Sequence, residues 1–231
     1  MVTKDNSSEI AKGLEAWKEY FMLNSYPKVQ LDNLTFLAAR FCKTAASLIT
    51  FVDGDIESVK SSFGIAACEV GPDTSFGRQV LKRGIPFLVN DIGNDSRFQN
   101  HPWLKEKPKM SFYAGVPLVT SDGTSIGVLC VLDKQSHQLD DIQVDALNRL
   151  ASQVTAILEL GKRIIELENF TSKAAHNIKS PLCSISMMTE LFREMYSGQM
   201  DPEGIELLST INDSTNQLAQ SIDEILNRKK K

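Results

Sequence analysis

The chain has 231 residues, 42% of them apolar and 23% charged, and a net charge of −4. That length holds either one domain with a sizeable core plus an extended element or two small domains, and the acidic balance argues against a nucleic-acid partner, whose recognition shows as a basic face. No stretch approaches the roughly 18 consecutive apolar residues of a membrane span.

No charged-then-apolar leader opens the sequence, and Cys42, Cys68, Cys130 and Cys183 lie at neither metal-ligand nor redox spacing. The expectation is a cytoplasmic protein with reduced thiols and no bound metal. Residues 1–30 are polar apart from Ile10, Leu14, Trp17 and Phe21, whose spacing predicts a short N-terminal helix ending before Pro27. A second helix is predicted over 31–42, where Leu34, Leu37, Ala38 and Phe41 recur at helical spacing. The β-branched and aromatic run 46–52 then reads as a strand closed by Asp53-Gly54-Asp55. A strand near 56–62, a helix over 75–83 and a strand over 86–92 continue the alternation.

Further on, Asp91-Ile92-Gly93-Asn94-Asp95-Ser96-Arg97-Phe98 forms a polar loop, and Ser111-Phe112-Tyr113-Ala114-Gly115-Val116-Pro117-Leu118 follows it. Asp122-Gly123 separates that run from Ile126-Gly127-Val128-Leu129-Cys130-Val131-Leu132-Asp133. Such a pair between two apolar runs is a hairpin signal, since glycine tolerates the positive φ of the tight turn. Helices alternating with paired strands predict an α+β domain with an antiparallel sheet and flanking helices.

In these motifs the chain resembles the GAF domain family over 31–160. The resemblance implies a small-molecule site between the sheet and its covering loops, with the loop 91–104, including His101 and Trp103, as the cover. Asp91, Arg97 and Tyr113 are the candidate ligand-binding residues, and the ligand itself is left unassigned. Asp91, Asp95 and Arg97 could bind a ligand, but an Asp-x-Arg pair in a loop is more often turn chemistry and a local ion pair. Some relatives attach a bilin through a cysteine beside a histidine, but this loop holds no cysteine, so covalent attachment there is not expected. His137, in Lys134-Gln135-Ser136-His137-Gln138, reads as a solvated turn residue.

From Asp140 a helical pattern runs on without a proline until Pro181, weakened only at Gly161. Seven-residue steps give one apolar column through Leu150, Ile157, Ile164, Thr171, Ile178, Ile185 and Phe192, and another through Leu160, Leu167, Ala174, Pro181, Met188 and Met195. These are the a and d columns of a coiled coil. After Ser197-Gly198-Gln199-Met200 breaks the pattern, Asp201 is placed to cap a new helix with Pro202 at its first position. This second arm carries Leu208, Ile211, Thr215, Leu218, Ile222 and Ile225 at steps of three and four. A helical hairpin over 161–231 is predicted, and two copies would close a homodimeric four-helix bundle, because one hairpin alone leaves apolar surface exposed. The final Arg228-Lys229-Lys230-Lys231 reads as a solvated helix end.

Within this pattern His176-Asn177-Ile178-Lys179-Ser180-Pro181-Leu182 stands out. In the heptad register His176 falls at f and Ser180 at c, outside the seam, and four residues apart on one face. The heptapeptide resembles the H-box of sensor histidine kinases: a histidine, an acid or amide, an aliphatic, a base, a hydroxyl or amide, proline and an aliphatic. The resemblance implies that His176 accepts a phosphoryl group originating from ATP and passes it to a response-regulator aspartate.

Asn177 replaces the acid found in many relatives. An amide carbonyl accepts a hydrogen bond but takes no proton, so orientation of the histidine is retained while base catalysis there is not expected. Ser180 matches the position that helps place a water for dephosphorylating the regulator, and Lys179 either stabilises phosphoryl charge or is solvated.

No phosphate-cradling Gly-x-Gly or Walker loop occurs, nor do the asparagine box and glycine-rich lid of a kinase catalytic domain. ATP therefore enters only through a catalytic domain in cis, if the chain is part of a longer kinase, or in trans. Three readings stay open: the sensory and phosphoacceptor part of a histidine kinase, a stand-alone phosphotransfer protein, and a non-enzymatic ligand-binding dimerisation scaffold. A fourth, a redox enzyme, requires paired cysteines near the pocket.

Overall fold

The computed structural model describes residues 27–53, 56–65, 76–98, 104, 109–196 and 198–227. The chain divides into two compact units between Lys162 and Arg163. The predicted helix around Ile10 to Phe21, the turn at Gly54 and Asp55, and the cover residues His101 and Trp103 lie outside the described residues.

In the first unit α1 (Lys28–Cys42) leads into β1 (Ala46–Asp53) and β2 (Ile56–Phe63), followed by α2 (Phe76–Arg83), β3 (Phe87–Val89), β4 (Phe112–Val119) and β5 (Ser125–Asp133). Helix α1 starts just after Pro27, whose carbonyl accepts the Leu31 N–H at 3.0 Å. It ends where Lys43 turns left-handed at φ 56°. The five strands form one sheet in the order β2-β1-β5-β4-β3, every neighbour antiparallel. Gly123 makes the tight turn of the β4–β5 hairpin at φ 86°, and the Thr120 carbonyl accepts the Gly123 N–H at 2.9 Å. Strand β3 is shorter than the predicted 86–92 because the Asp91 carboxylate accepts the backbone N–H groups of Gly93 (3.0 Å) and Asn94 (3.2 Å). A side chain that captures backbone donors in this way makes a turn where a strand would need them for its ladder.

Helix α1 packs against β1, β2 and β5, and α2 against β4, β5 and β1. Buried hydroxyls join α1 to the sheet: Thr35 Oγ1 lies 3.0 Å from Ser61 Oγ, and Ser47 donates to the Thr35 carbonyl at 2.6 Å. The core beneath α2 gathers Leu48, Phe76, Val80, Phe87, Val89, Met110, Tyr113, Val128, Cys130 and Leu132. Gly127 is required on β5, since a Cβ there would lie 2.3 Å from the Thr50 carbonyl oxygen of the neighbouring strand.

Helix α3 (Asp141–Tyr196) opens with a reciprocal cap: Asp140 Oδ1 accepts the Gln143 N–H at 2.7 Å and Gln143 Oε1 accepts the Asp140 N–H at 3.0 Å. Its first turns bury Leu147, Ala151, Val154 and Leu158 in the first unit, and Glu159 accepts the Ser121 N–H at 2.6 Å. The helix passes Gly161 unbroken and carries Pro181 in its interior.

In the second unit the rest of α3 pairs with α4 (Pro202–Asn227) as the predicted hairpin. Asp201 caps α4 by accepting the Gly204 N–H at 2.8 Å. The heptad columns divide in an unexpected way. The side chains withdrawn from solvent on this part of α3 include Thr171, Ala174, Ala175, Lys179, Leu182, Ser186 and Thr189, and on α4 Leu208, Asn212, Thr215, Ala219, Ile222 and Leu226. Ile164, Leu167, Ile178, Ile185, Met188, Phe192 and Met195 on α3 are exposed, as are Ile211, Leu218 and Ile225 on α4. The large a and d side chains of α3 in this unit are thus left exposed while Thr171 and Ala174 are half-buried, and the α4 stripe splits between an inner and an outer row.

Candidate functional site

His176 sits in mid-helix, exposed, one residue after the buried Ala175. Asn177 and Ser180 are exposed on the same helix. Pro181 carries no N–H, so the carbonyl of Asn177 receives no helical bond from it, and the backbone next to the histidine is one hydrogen bond short of a regular helix. The Ser180 carbonyl accepts the Ser184 hydroxyl at 3.2 Å. Lys179 departs from the solvated expectation: its side chain is 33% exposed and its ammonium pairs with the Asp223 carboxylate of α4. A second polar link between the arms joins the Ser186 hydroxyl to Asn212 Oδ1.

An exposed imidazole in mid-helix is open to solvent and to an approaching partner, and imidazole nitrogens serve elsewhere as nucleophiles. The arrangement sets an exposed imidazole on the same helix as the Lys179 ammonium, three residues on, and the Asn177 amide beside the histidine cannot take up a proton.

In the first unit the three candidate ligand residues do not converge. Asp91 is held by its own turn, accepting from Asn94 Nδ2 at 2.8 Å and from the Ser136 hydroxyl at 3.2 Å. The Asn94 amide keeps its carboxyl below the usual carboxylate range. Arg97 donates from Nε to Asp95 Oδ1 at 2.9 Å, and its guanidinium lies 5.3 Å from the Phe87 ring centre and 5.2 Å from that of Phe98. This bond also lowers the Asp95 carboxyl.

Tyr113 lies in the core, stacked on Phe76 with ring centres 4.6 Å apart and an interplanar angle of 19°. Burial raises its phenol well above the ordinary value. The aromatic residues facing α2 therefore fill one another's space. The cleft that Asp91 does line is open and about 570 Å³ in volume, and its other walls are Leu88, Val89, Asn90, Asn94, Asp95, Ser96, Gln138 and Leu139. It includes neither Arg97 nor Tyr113.

Burial raises the Cys42 thiol to about 11 and pushes the Cys130 thiol higher still, leaving both unreactive, and Cys68 lies outside the described residues. His137 is half-buried rather than solvated, its ring edge-on to Phe112 at 5.1 Å. Its backbone N–H reaches the Asn90 carbonyl at 3.1 Å, which draws the turn onto the domain. Two residues escaped sequence reasoning. Glu57 is a buried carboxylate against Gly77 at the start of α2, and only its place in the alternating pattern of β2 hinted at burial. Asp223 has no local signal at all, because its partner lies 44 residues away.

The GAF domain model matches residues 27–158, more than half of the chain. The chain belongs to the GAF domain family. A second model, the His Kinase A phospho-acceptor domain (HisKA), matches residues 166–231, so a sensory-type domain is followed by the phosphoacceptor domain of histidine kinases. A cyclic di-GMP phosphodiesterase of Pseudomonas aeruginosa is 28% identical over 151 residues, 65% of this chain; the chain spans about a quarter of that relative's length, 24%.

Among solved structures, the GAF domain resembles the blue-light-absorbing form of the PixJ GAF domain of Thermosynechococcus elongatus, at 16% identity and a TM-score of 0.53 over 71% of this chain and 96% of that one. It also resembles the GAF domain of an Acinetobacter phosphoenolpyruvate-protein phosphotransferase, at 16% identity and a TM-score of 0.50 over 71% of this chain and 99% of that one. Both likenesses concern the fold. Among the described residues no helix is long and apolar enough to cross a membrane, and no group of histidine, cysteine and acidic side chains could hold a metal.

Proposed function

We propose that this chain is the sensory and phosphoacceptor portion of a two-component histidine kinase. The exposure of His176 on an unbroken helix, inside the segment matching the HisKA domain, is the observation that carries this reading. A catalytic domain, in cis or in trans, presents ATP. A ring nitrogen of His176 attacks the γ-phosphorus, a P–N bond forms, the P–O bond to ADP breaks and the ring proton leaves to solvent. An aspartate oxygen of a receiver domain then attacks phosphorus, the P–N bond breaks, and the departing ring nitrogen takes a proton from solvent to restore the neutral imidazole. Asn177 orients the ring, and Ser180 faces the water that later dephosphorylates the regulator.

The exposed columns of α3 and α4 fit a second copy, so the working unit is a homodimer in which the apolar rows close a four-helix bundle. The GAF domain supplies the signal input, transmitted along α3, and binds a small molecule of a class still to be identified.

Purified chain mixed with γ-labelled ATP should remain unlabelled, and adding the isolated catalytic domain of a histidine kinase should give an acid-labile label. His176→Gln should remove that label, and transfer to a receiver domain with it. Label on the His176→Gln chain would overturn the assignment. A pathway output in cells that ignores His176→Gln would favour the non-enzymatic scaffold.

A further inference from the structure

We infer that Asp223 is a positioning residue for the phosphoacceptor: its carboxylate holds the Lys179 ammonium toward α4, so that the lysine reaches a phosphoryl group on His176 only in competition with Asp223. The inference rests on the reading of His176 given above.

Lys179 follows His176 by three residues, a spacing that brings the two Cβ atoms to about 5–6 Å on a helix surface. A four-carbon stem with three donors covers that distance in more than one rotamer. In the structure those donors are turned the other way, to Asp223 Oδ1 on the opposite arm. Among the described residues no other acidic group forms an ion pair with Lys179.

The carboxylate is 54% exposed, so the pair is solvent-screened and cheap to exchange. A phosphoryl group presents up to two negative charges and three acceptor oxygens against the single charge of a carboxylate. One ammonium thus stands between two anions, the weaker permanent and the stronger present only after phosphorylation. Releasing the lysine need not open the hairpin, because the Ser186–Asn212 hydrogen bond joins the arms independently of it, and Ala175 and Thr215 are buried.

The test uses the whole chain, an isolated catalytic domain supplied in trans and ATP. Two quantities are followed: the plateau of phosphorylated His176 and its decay after ATP is removed. Asp223→Asn should raise the plateau and lengthen the lifetime by roughly two- to fivefold, the range expected of an exposed ion pair. Lys179→Met should lower both by a similar factor, and Asp223→Glu should behave as wild type. In the Lys179→Met background, Asp223→Asn should change neither quantity, since no lysine is left to release.

An Asp223→Asn effect that persists without the lysine would mark a merely structural role and overturn the inference. So would wild-type behaviour of Asp223→Asn alone, with circular dichroism verifying that each variant is helical. A wild-type chain that takes no label overturns the phosphoacceptor reading itself, and this inference with it.

Discussion

In the GAF domain, β4 and β5 bury almost every side chain over Phe112 to Leu118 and Ile126 to Leu132, and aromatic rings from α2, β3 and β4 close the space between helix and sheet. In the HisKA hairpin, the side chains withdrawn from solvent are Ala175, Leu182, Ser186 and Thr189 on α3 and Leu208, Thr215, Ala219 and Ile222 on α4, while Ile185, Met188, Phe192, Leu218 and Ile225 are exposed. Apolar residues are plentiful in both, yet only the first arrangement completes a core within one chain. The hairpin is held on its inner side by small side chains, a few half-buried leucines and isoleucines and two polar links, and most of its large hydrocarbon groups remain exposed. On the proposed homodimer, stability is intrinsic in one unit and a matter of mass action in the other.

The contrast breaks if the GAF core tolerates truncation. Leu129→Ala, at a fully buried position of the central strand β5, should cost about 2–5 kcal/mol in denaturant unfolding at any protein concentration. Gly127→Ala should cost about 1–3 kcal/mol, because the new methyl must displace the backbone of β1 rather than a side chain.

The hairpin sharpens the contrast from the other side. Leu218→Ala should cost about 1–2 kcal/mol in concentrated protein and progressively less on dilution, as sedimentation and thermal melting at several concentrations would reveal. A loss independent of concentration would mean that the outer row is not an interface.

The smallest effect concerns pH. The folded carboxyl of Asp91 lies below its ordinary value, so its stabilising contribution is complete above about pH 4 and is lost as pH falls through the lowered folded value. Replacing Asp91 with Ala should lower the urea midpoint slightly at pH 6, and the gap from wild type should close toward acid.

Much of the architecture was legible because its signals are local. Helical spacing announced α1, a β-branched and aromatic run announced β1, Asp122-Gly123 announced the β4–β5 hairpin, and seven adjacent residues announced the HisKA domain. What escaped depends on distant partners. Heptad positions state that a side chain wants a neighbour, not which chain supplies it, so the outward columns of α3 could not be told from inward ones. An aromatic residue such as Tyr113 reads the same whether it lines a ligand site or fills it, and only Phe76 stacked upon it decides. The turn at His137 was placed by a backbone bond to the distant Asn90, and Lys179 was claimed by a carboxylate from the other arm.

The modest inner face of the hairpin has a bearing on fidelity. Because the chain's own helices meet through two polar links and a separate inner row that includes Leu182, Leu208 and Ile222, the hydrocarbon rows outside are free to vary without disturbing that contact. A cell that holds several chains of this kind can keep each faithful to its own copy by redrawing the outer rows alone, and mismatched rows then act against mixed pairs.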